Sequence, residues 1–181
     1  LCDRLVRWYR DRRLHPDADD ALRRRGENEL RAGRFEQALA TLEALMFRDA
    51  SDRRVWKLRA FARFQLGRYA EALEDQYWIR GTFGPDRFVH REIGATLFKL
   101  GRLEDALAAL ERSLKIDGEH ADTFRWIARA HEEAGRPTEA EAGWRACLAS
   151  QPGPRMDALA RNNLAWLLAR QSRPGDPRLL E

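Results

Sequence analysis

Cysteine is almost missing from this chain. Cys2 and Cys147 stand far apart and form no CxxC pair, which argues against a disulfide or zinc framework. Histidine is scarce as well: His15, His90, His120 and His131 fall at no metal-ligand or triad spacing. His131-Glu132-Glu133 fails as an HExxH motif because Gly135 stands where the second ligand would have to be. Ser51, Ser113, Ser150 and Ser172 lie in no GxSxG elbow, and neither standard glycine-rich phosphate loop occurs. Acids are plentiful, but carboxylate pairs are ordinary on solvated helices, and no pair stands apart as general acid and base. The expectation is a chain with no catalytic residues, no metal site and no cofactor.

Other absences bear on its class. No apolar run reaches the ~18 residues of a membrane span, and no strand-like alternation bounded by turn residues appears. The opening Leu1-Cys2-Asp3-Arg4 is followed by no apolar segment of a secretory signal. Only three of the 33 basic residues are lysines, Lys57, Lys99 and Lys115, a bias that reads as a GC-rich bacterial source and leaves cytoplasm and cell envelope both open as compartments. The net charge of +4 is small, and Arg12-Arg13, Arg23-Arg24-Arg25 and Arg53-Arg54 are interleaved with acids. Solvated helix faces account for them better than a nucleic-acid footprint. Hydrophobic residues at 44% and charged residues at 34% fit short amphipathic helices with wet outer faces. The chain does not begin with Met, and it reads as a piece of a longer bacterial protein.

What is present is a repeat. Gly33, Gly67, Gly101 and Gly135 recur every 34 residues, each followed by Arg and, at fixed offsets, by an aromatic residue, Leu or Pro and then an Ala: Phe35 and Ala38, Tyr69 and Ala72, Leu103 and Ala106, Pro137 and Ala140. Before the glycine run the columns Leu22, Trp56, His90 and Phe124, then Arg25, Arg59, Ile93 and Ile127, then the small residues Gly26, Ala60, Gly94 and Ala128. The small column lets a paired helix approach closely. After the glycine come Leu42, Gln76, Leu110 and Trp144. A glycine in the left-handed region closes the first helix, where a Cβ would be strained, and the second helix is expected to start about three residues on. Apolar residues then return at helical spacing, as in Ala106, Leu107, Leu110 and Leu114. Pro85 and Pro152 lie at or near the ends of the second and fourth units, where they stop the helix.

These columns resemble the tetratricopeptide repeat family, with Trp, Leu, Gly, Tyr, Ala, Phe and Pro at set positions of a 34-residue unit. The departures are Glu29, Arg63, Leu97 and His131 where the family has a first-helix Tyr, and Arg25 and Arg59 where it usually has Leu. The resemblance implies an all-α, right-handed superhelical solenoid of helix-turn-helix repeats. Four units would span 19–52, 53–86, 87–120 and 121–154. Residues 1–18 would hold an N-terminal helix from an earlier repeat, with Leu5, Val6, Trp8 and Tyr9 on its apolar side. Residues 155–181 would form a partial fifth repeat or capping helix, with a loop at Ser172-Arg173-Pro174-Gly175-Asp176-Pro177 and a second helix starting at Leu179-Leu180. Such an array would continue past Glu181.

The resemblance further implies a concave groove, lined by the first helices, that holds an extended or helical peptide. Carried over by position, the groove takes Arg23, Glu27 and Leu30 from the first unit and Arg54, Lys57, Phe61 and Phe64 from the second. The third adds Phe88, Arg91, Ala95 and Phe98, and the fourth Asp122, Arg125, Arg129 and Glu132. Aromatic platforms alternating with cations suit a protein or peptide with acidic residues and an apolar anchor, and Arg91 and Arg125 with Phe88 and Phe64 would contact its acidic part. Phe61, Phe64 and Phe98 have packing between adjacent helices as their alternative role, and Trp56, Trp144 and Trp166 are assigned to the core. A carboxylate clamp for chaperone tails is disfavoured, because Glu27 and Leu58 stand where its asparagines belong. The expected function is a non-catalytic interaction scaffold. The alternative is a structural or self-assembling module of a cell-envelope secretion or polysaccharide-export complex.

Overall fold

A chain stops an α-helix most cheaply where glycine takes the left-handed conformation, and here it does so at regular intervals. Gly33, Gly67, Gly101 and Gly135 have φ of 71°, 75°, 74° and 68°. Beyond each glycine the arginine N–H reaches back five residues: Arg34 donates to the Glu29 carbonyl, Arg68 to Arg63, Arg102 to Leu97 and Arg136 to His131, each at 2.9 Å. The glycine N–H itself donates three residues back, to Leu30, Phe64, Phe98 and Glu132. This paired pattern is the Schellman closure, which satisfies the last carbonyls of the helix.

The computed structural model describes residues 16–48, 51–118 and 120–171, and among these the only regular structure is helical. The helices are α1 (Pro16–Arg31), α2 (Phe35–Arg48), α3 (Arg53–Gln65), α4 (Tyr69–Phe83), α5 (Arg87–Lys99), α6 (Leu103–Asp117), α7 (Ala121–Glu133), α8 (Pro137–Ala149) and α9 (Pro154–Gln171). Second helices start two residues after the glycine, one earlier than expected. The arginine that closes one helix also opens the next: the carbonyls of Arg34, Arg68, Arg102 and Arg136 accept from Ala38, Ala72, Ala106 and Ala140. Of the N-terminal helix expected in 1–18, residues 1–15 lie outside the described residues and 16–18 open α1; the expected loop and helix start within 172–181 lie outside the described residues.

The chain divides into two compact units, the described residues up to Gly84 and those from Pro85 onward. In the first, α1 packs on α2, α2 on α3 and α3 on α4. Its core gathers Ala38, Leu39, Leu42, Leu45, Val55 and Ala62. In the second, α5 to α9 pack each on the next, with Ile93 and Leu110 buried between α5 and α6. Further on, Ala128, Ala140, Trp144, Cys147, Ala160 and Leu167 form one cluster. The column of small residues is buried in both units, and its purpose is visible at Gly94, where a Cβ would lie 2.5 Å from the Leu110 Cγ.

The substituted columns have a physical explanation. In the first unit they trade apolar packing for buried polar networks. The Glu29 carboxylate accepts from Arg25 Nε at 2.9 Å and from the Thr41 hydroxyl at 2.8 Å. Asp75 accepts from Arg59 at 3.0 and 2.6 Å and from Arg63 at 2.8 Å. The matching positions of the α5–α6 hairpin are Ile93, Leu97 and Ala109, all buried and apolar.

Candidate functional site

Residues at i, i+3, i+7 and i+10 share one face of a helix, so the columns expected to line a groove must project together from each first helix. Their side chains meet different partners in the two units.

In the first unit the arginines of the face are neutralised within the fold. Arg23 is paired with Asp20 and, at 3.1 Å, with Asp52, the residue that also caps α3 by accepting from the Arg54 N–H at 2.8 Å. Arg54 reaches across to Glu27 at 2.8 Å, tying α3 to α1. Beside that pair lies an open depression of about 360 Å³ lined by Glu27, Leu30, Arg31, Arg54, Leu58 and Phe61. The Phe61 ring stands edge-on to Phe35 at 6.4 Å and is still 48% exposed. Phe64 is half-buried and packs its ring against Tyr69 at 5.3 Å, across the turn of its own hairpin. Lys57 is half-buried on the same helix.

In the second unit aromatic rings take the place of the acids. Arg91 lies over the Phe88 ring at 5.3 Å. On α7, Arg125 lies over Trp126 at 4.4 Å, and Arg129 over Phe98 at 5.0 Å and Trp126 at 5.6 Å. Phe98 and Trp126 are themselves 5.4 Å apart. Arg129 therefore joins the face of α5 to the face of α7, and Phe98, Trp126, Arg125 and Arg129 form one cluster. Arg125 is also paired with Asp122 at 3.1 Å. Ala95 is buried, and Glu132 accepts from the indole N–H of the core residue Trp144 at 2.7 Å, which ties it to packing.

Trp166 corrects the sequence reading. Assigned there to the core, it is instead 56% exposed, with Arg170 over its ring at 4.5 Å. By place in the repeat it follows Glu132 by 34 residues and so shares the column of Leu30, which is buried, and of Phe64 and Phe98, which are half-buried. With Glu132, Gly135, Pro137, Leu167 and Arg170 it lines a second depression of about 290 Å³. Of the other tryptophans, Trp144 is fully buried, while Trp56 is half-buried and stacked on Trp78 at 3.7 Å. Leu58 and Trp126, which share one column, and Arg31, in another, were not expected beside the face, because each lies one residue from an expected column; Trp126 is itself buried.

Among the described residues no group of three metal-ligating side chains occurs, and no helix is long and apolar enough to cross a membrane. The surface can offer aromatic faces, guanidinium N–H groups and two shallow depressions. That chemistry suits contact with another chain.

Two sequence models described as tetratricopeptide repeat match this chain, one over residues 23–77 and one over residues 97–162. A comparison with curated protein sequences gave no match. Among solved structures the chain is similar to MamA 41-end from Desulfovibrio magneticus RS-1, at 18% identity and a TM-score of 0.72, covering 86% of each chain. It is also similar to a thermophilic TPR protein of Thermus thermophilus, at 20% identity and a TM-score of 0.72, covering 86% of this chain and 84% of that one. Identities this low speak for the fold alone.

Proposed function

Since the chain belongs to the tetratricopeptide repeat family, we propose that it is a non-catalytic interaction module that holds a segment of another protein against the faces of its first helices. The observation that carries this reading is the exposed ring of Phe61 beside a depression floored by Leu30 and Leu58. An aromatic ring left 48% exposed at the edge of an apolar hollow stands to gain from being covered, and such rings dominate the energetics of protein contacts. Arg54, Lys57 and Phe64 complete the binding face of the first unit together with Arg23, and Phe88, Arg91, Phe98, Arg125 and Arg129 form that of the second.

The test uses a partner recovered on the immobilised wild-type chain from an extract of the source cells. Phe61→Ser and Phe88→Ser are each expected to lower its recovery by about tenfold, the cost of truncating an aromatic anchor. Ile116→Ser, which changes an equally exposed residue on the second helix α6, should leave recovery unchanged. Loss from Ile116→Ser alone would move the binding surface to the second helices, and equal loss from all three variants would overturn its assignment to the first-helix faces. Association that rises with protein concentration and needs no partner, measured by light scattering, would favour the self-assembling module instead.

A further inference from the structure

The cations on the first-helix faces differ in what already holds them. In the first unit Arg23 and Arg54 have carboxylate partners in Asp20, Asp52 and Glu27. In the second unit Arg125 has Asp122, whereas Arg91 and Arg129 form no ion pair among the described residues and are held by rings alone: Arg91 by Phe88, Arg129 by Phe98 and Trp126. A guanidinium resting on an aromatic face has already lost much of its side-chain freedom, and the stack does not use the N–H groups that lie in its plane. It is a prepared, unneutralised donor.

We propose that the second unit takes an acidic segment of the partner protein, with carboxylates read by Arg91 and Arg129 and an apolar side chain of the same segment seated against Phe88 and Phe98. Arg23 and Arg54 contribute little to carboxylate recognition. The proposal rests on the reading of the first-helix faces as the protein-binding surface, and names the chemistry that surface selects. The asymmetry follows from competition. A ligand carboxylate approaching Arg54 must displace Glu27 from a contact of 2.8 Å, and at Arg23 it must displace two aspartates. At Arg91 and Arg129 it displaces no carboxylate of the described residues, and both arginines can form charge-assisted, bidentate hydrogen bonds. Half-burial of both arginines beside aromatic rings also lowers the screening that weakens exposed pairs. A nucleic-acid backbone fits less well. Glu92 on α5 and Asp122, Glu132 and Glu133 on α7 share these helices and would oppose a continuous run of phosphates, while spaced carboxylates can avoid them.

The experiment measures fluorescence anisotropy of two labelled dodecapeptides at near-physiological salt, one built from Glu, Phe and Gly and the other identical except for Gln in place of Glu. The Glu peptide is expected to bind the wild-type chain about tenfold more tightly, as befits charge-assisted contacts in place of neutral ones. Arg91→Gln with Arg129→Gln should abolish that preference, and Arg23→Gln with Arg54→Gln should change it by less than about twofold. Should the second-unit double variant lose helicity, Arg91→Gln alone is measured, because Arg91 is held only by a ring; it should remove part of the preference, and Arg91→Lys should restore less than the native arginine. Equal affinity for the two peptides, failure to bind either, or an equal loss in the first-unit variant overturns the proposal. So does retention of a labelled single-stranded RNA through Arg91 and Arg129 when the Glu peptide is ignored. The wider reading fails separately, when a partner captured by the wild type is kept by Phe61→Ser.

Discussion

His131 occupies, in the α7–α8 hairpin, the position that Leu97 holds in the α5–α6 hairpin. Its Nδ1 is buried and finds no hydrogen-bond partner among the described residues. Burial first, and the positive charge of Arg136 second, push the imidazole below its ordinary value of 6.5, against weaker pulls from Glu139 and Glu111. The sign of the pH effect follows from linkage. As pH falls below 6.5 the unfolded chain takes up a proton at this residue before the folded chain does, so His131 removes stability progressively until the folded imidazole is itself protonated. His131→Leu should therefore gain on the wild type as pH falls from about 7.5 to about 5.5 in urea denaturation, a window set on either side of the unfolded imidazole's titration. A difference that stays constant over that range would mean the imidazole titrates alike in both states. Glu29 behaves in the opposite sense to a strained buried acid: burial, the largest single influence, opposes its charge, yet the Arg25 and Thr41 hydrogen bonds together with the positive charges of Arg25 and Arg34 hold its carboxyl below the ordinary value of 4.5. The Cys147 thiol is simply buried, pushed up by desolvation and donating to the Ala121 carbonyl at 3.3 Å.

At the scale of the element, one substitution should have opposite signs in two helices. Gly143 on α8 lies directly against the α7 backbone: a Cβ there would lie 2.9 Å from the Cα of Ala128 and 3.0 Å from its backbone nitrogen. Backbone cannot move aside as a side chain tip can. Gly143→Ala should thus destabilise by about 1–3 kcal/mol, the usual cost of overpacking, even though alanine is the better helix former by about 1 kcal/mol. At Gly81 on α4 a Cβ would meet nothing within 4 Å and the backbone is ordinary helix, so Gly81→Ala should stabilise by about 0.5–1 kcal/mol. Thermal or urea unfolding of both variants decides the point, and equal signs would show that helix propensity, not interhelix distance, governs these sites. The same reasoning separates Gly143 from the turn glycines, whose constraint is a positive φ and not a neighbour.

Across the whole molecule, the glycine spacing makes the succession of helices legible in the sequence alone, because a Schellman closure needs only local backbone chemistry. The faces were legible in part: fixed columns put Phe61, Phe88, Arg91 and Arg129 on first helices, but the column that Trp166 shares holds the buried Leu30 beside the half-buried Phe64 and Phe98 and so carried no sign of its exposure. Pairings were not legible. Arg23 meets Asp52 across 29 residues and Arg59 meets Asp75 across 16, and such contacts depend on rotamers and helix crossing, which no column records. The same limit hid the reason for Arg59 and Arg63 standing where the family has Leu and Tyr, and that reason leads to a prediction about the array. Asp75 is 2% exposed; burial raises its carboxyl above the ordinary range, against the pull of Arg59 and Arg63. Removing it alone, as Asp75→Ala, strands two largely buried guanidiniums: among the described residues Arg63 keeps longer carboxylate contacts to Glu43 and Glu71, at 3.4 and 3.5 Å, and Arg59 keeps the Trp56 ring at 4.5 Å. The expected loss is about 3–5 kcal/mol. The chain contains its own apolar solution to the same geometry in Ile93, Leu97 and Ala109. Transplanting it as Arg59→Ile, Arg63→Leu and Asp75→Ala together removes both the buried charges and their desolvation, so the triple variant should recover the loss and match or exceed wild-type stability. Urea denaturation of the single and triple variants measures this. A triple variant no more stable than Asp75→Ala would mean that the buried ion network itself holds the α3–α4 hairpin together.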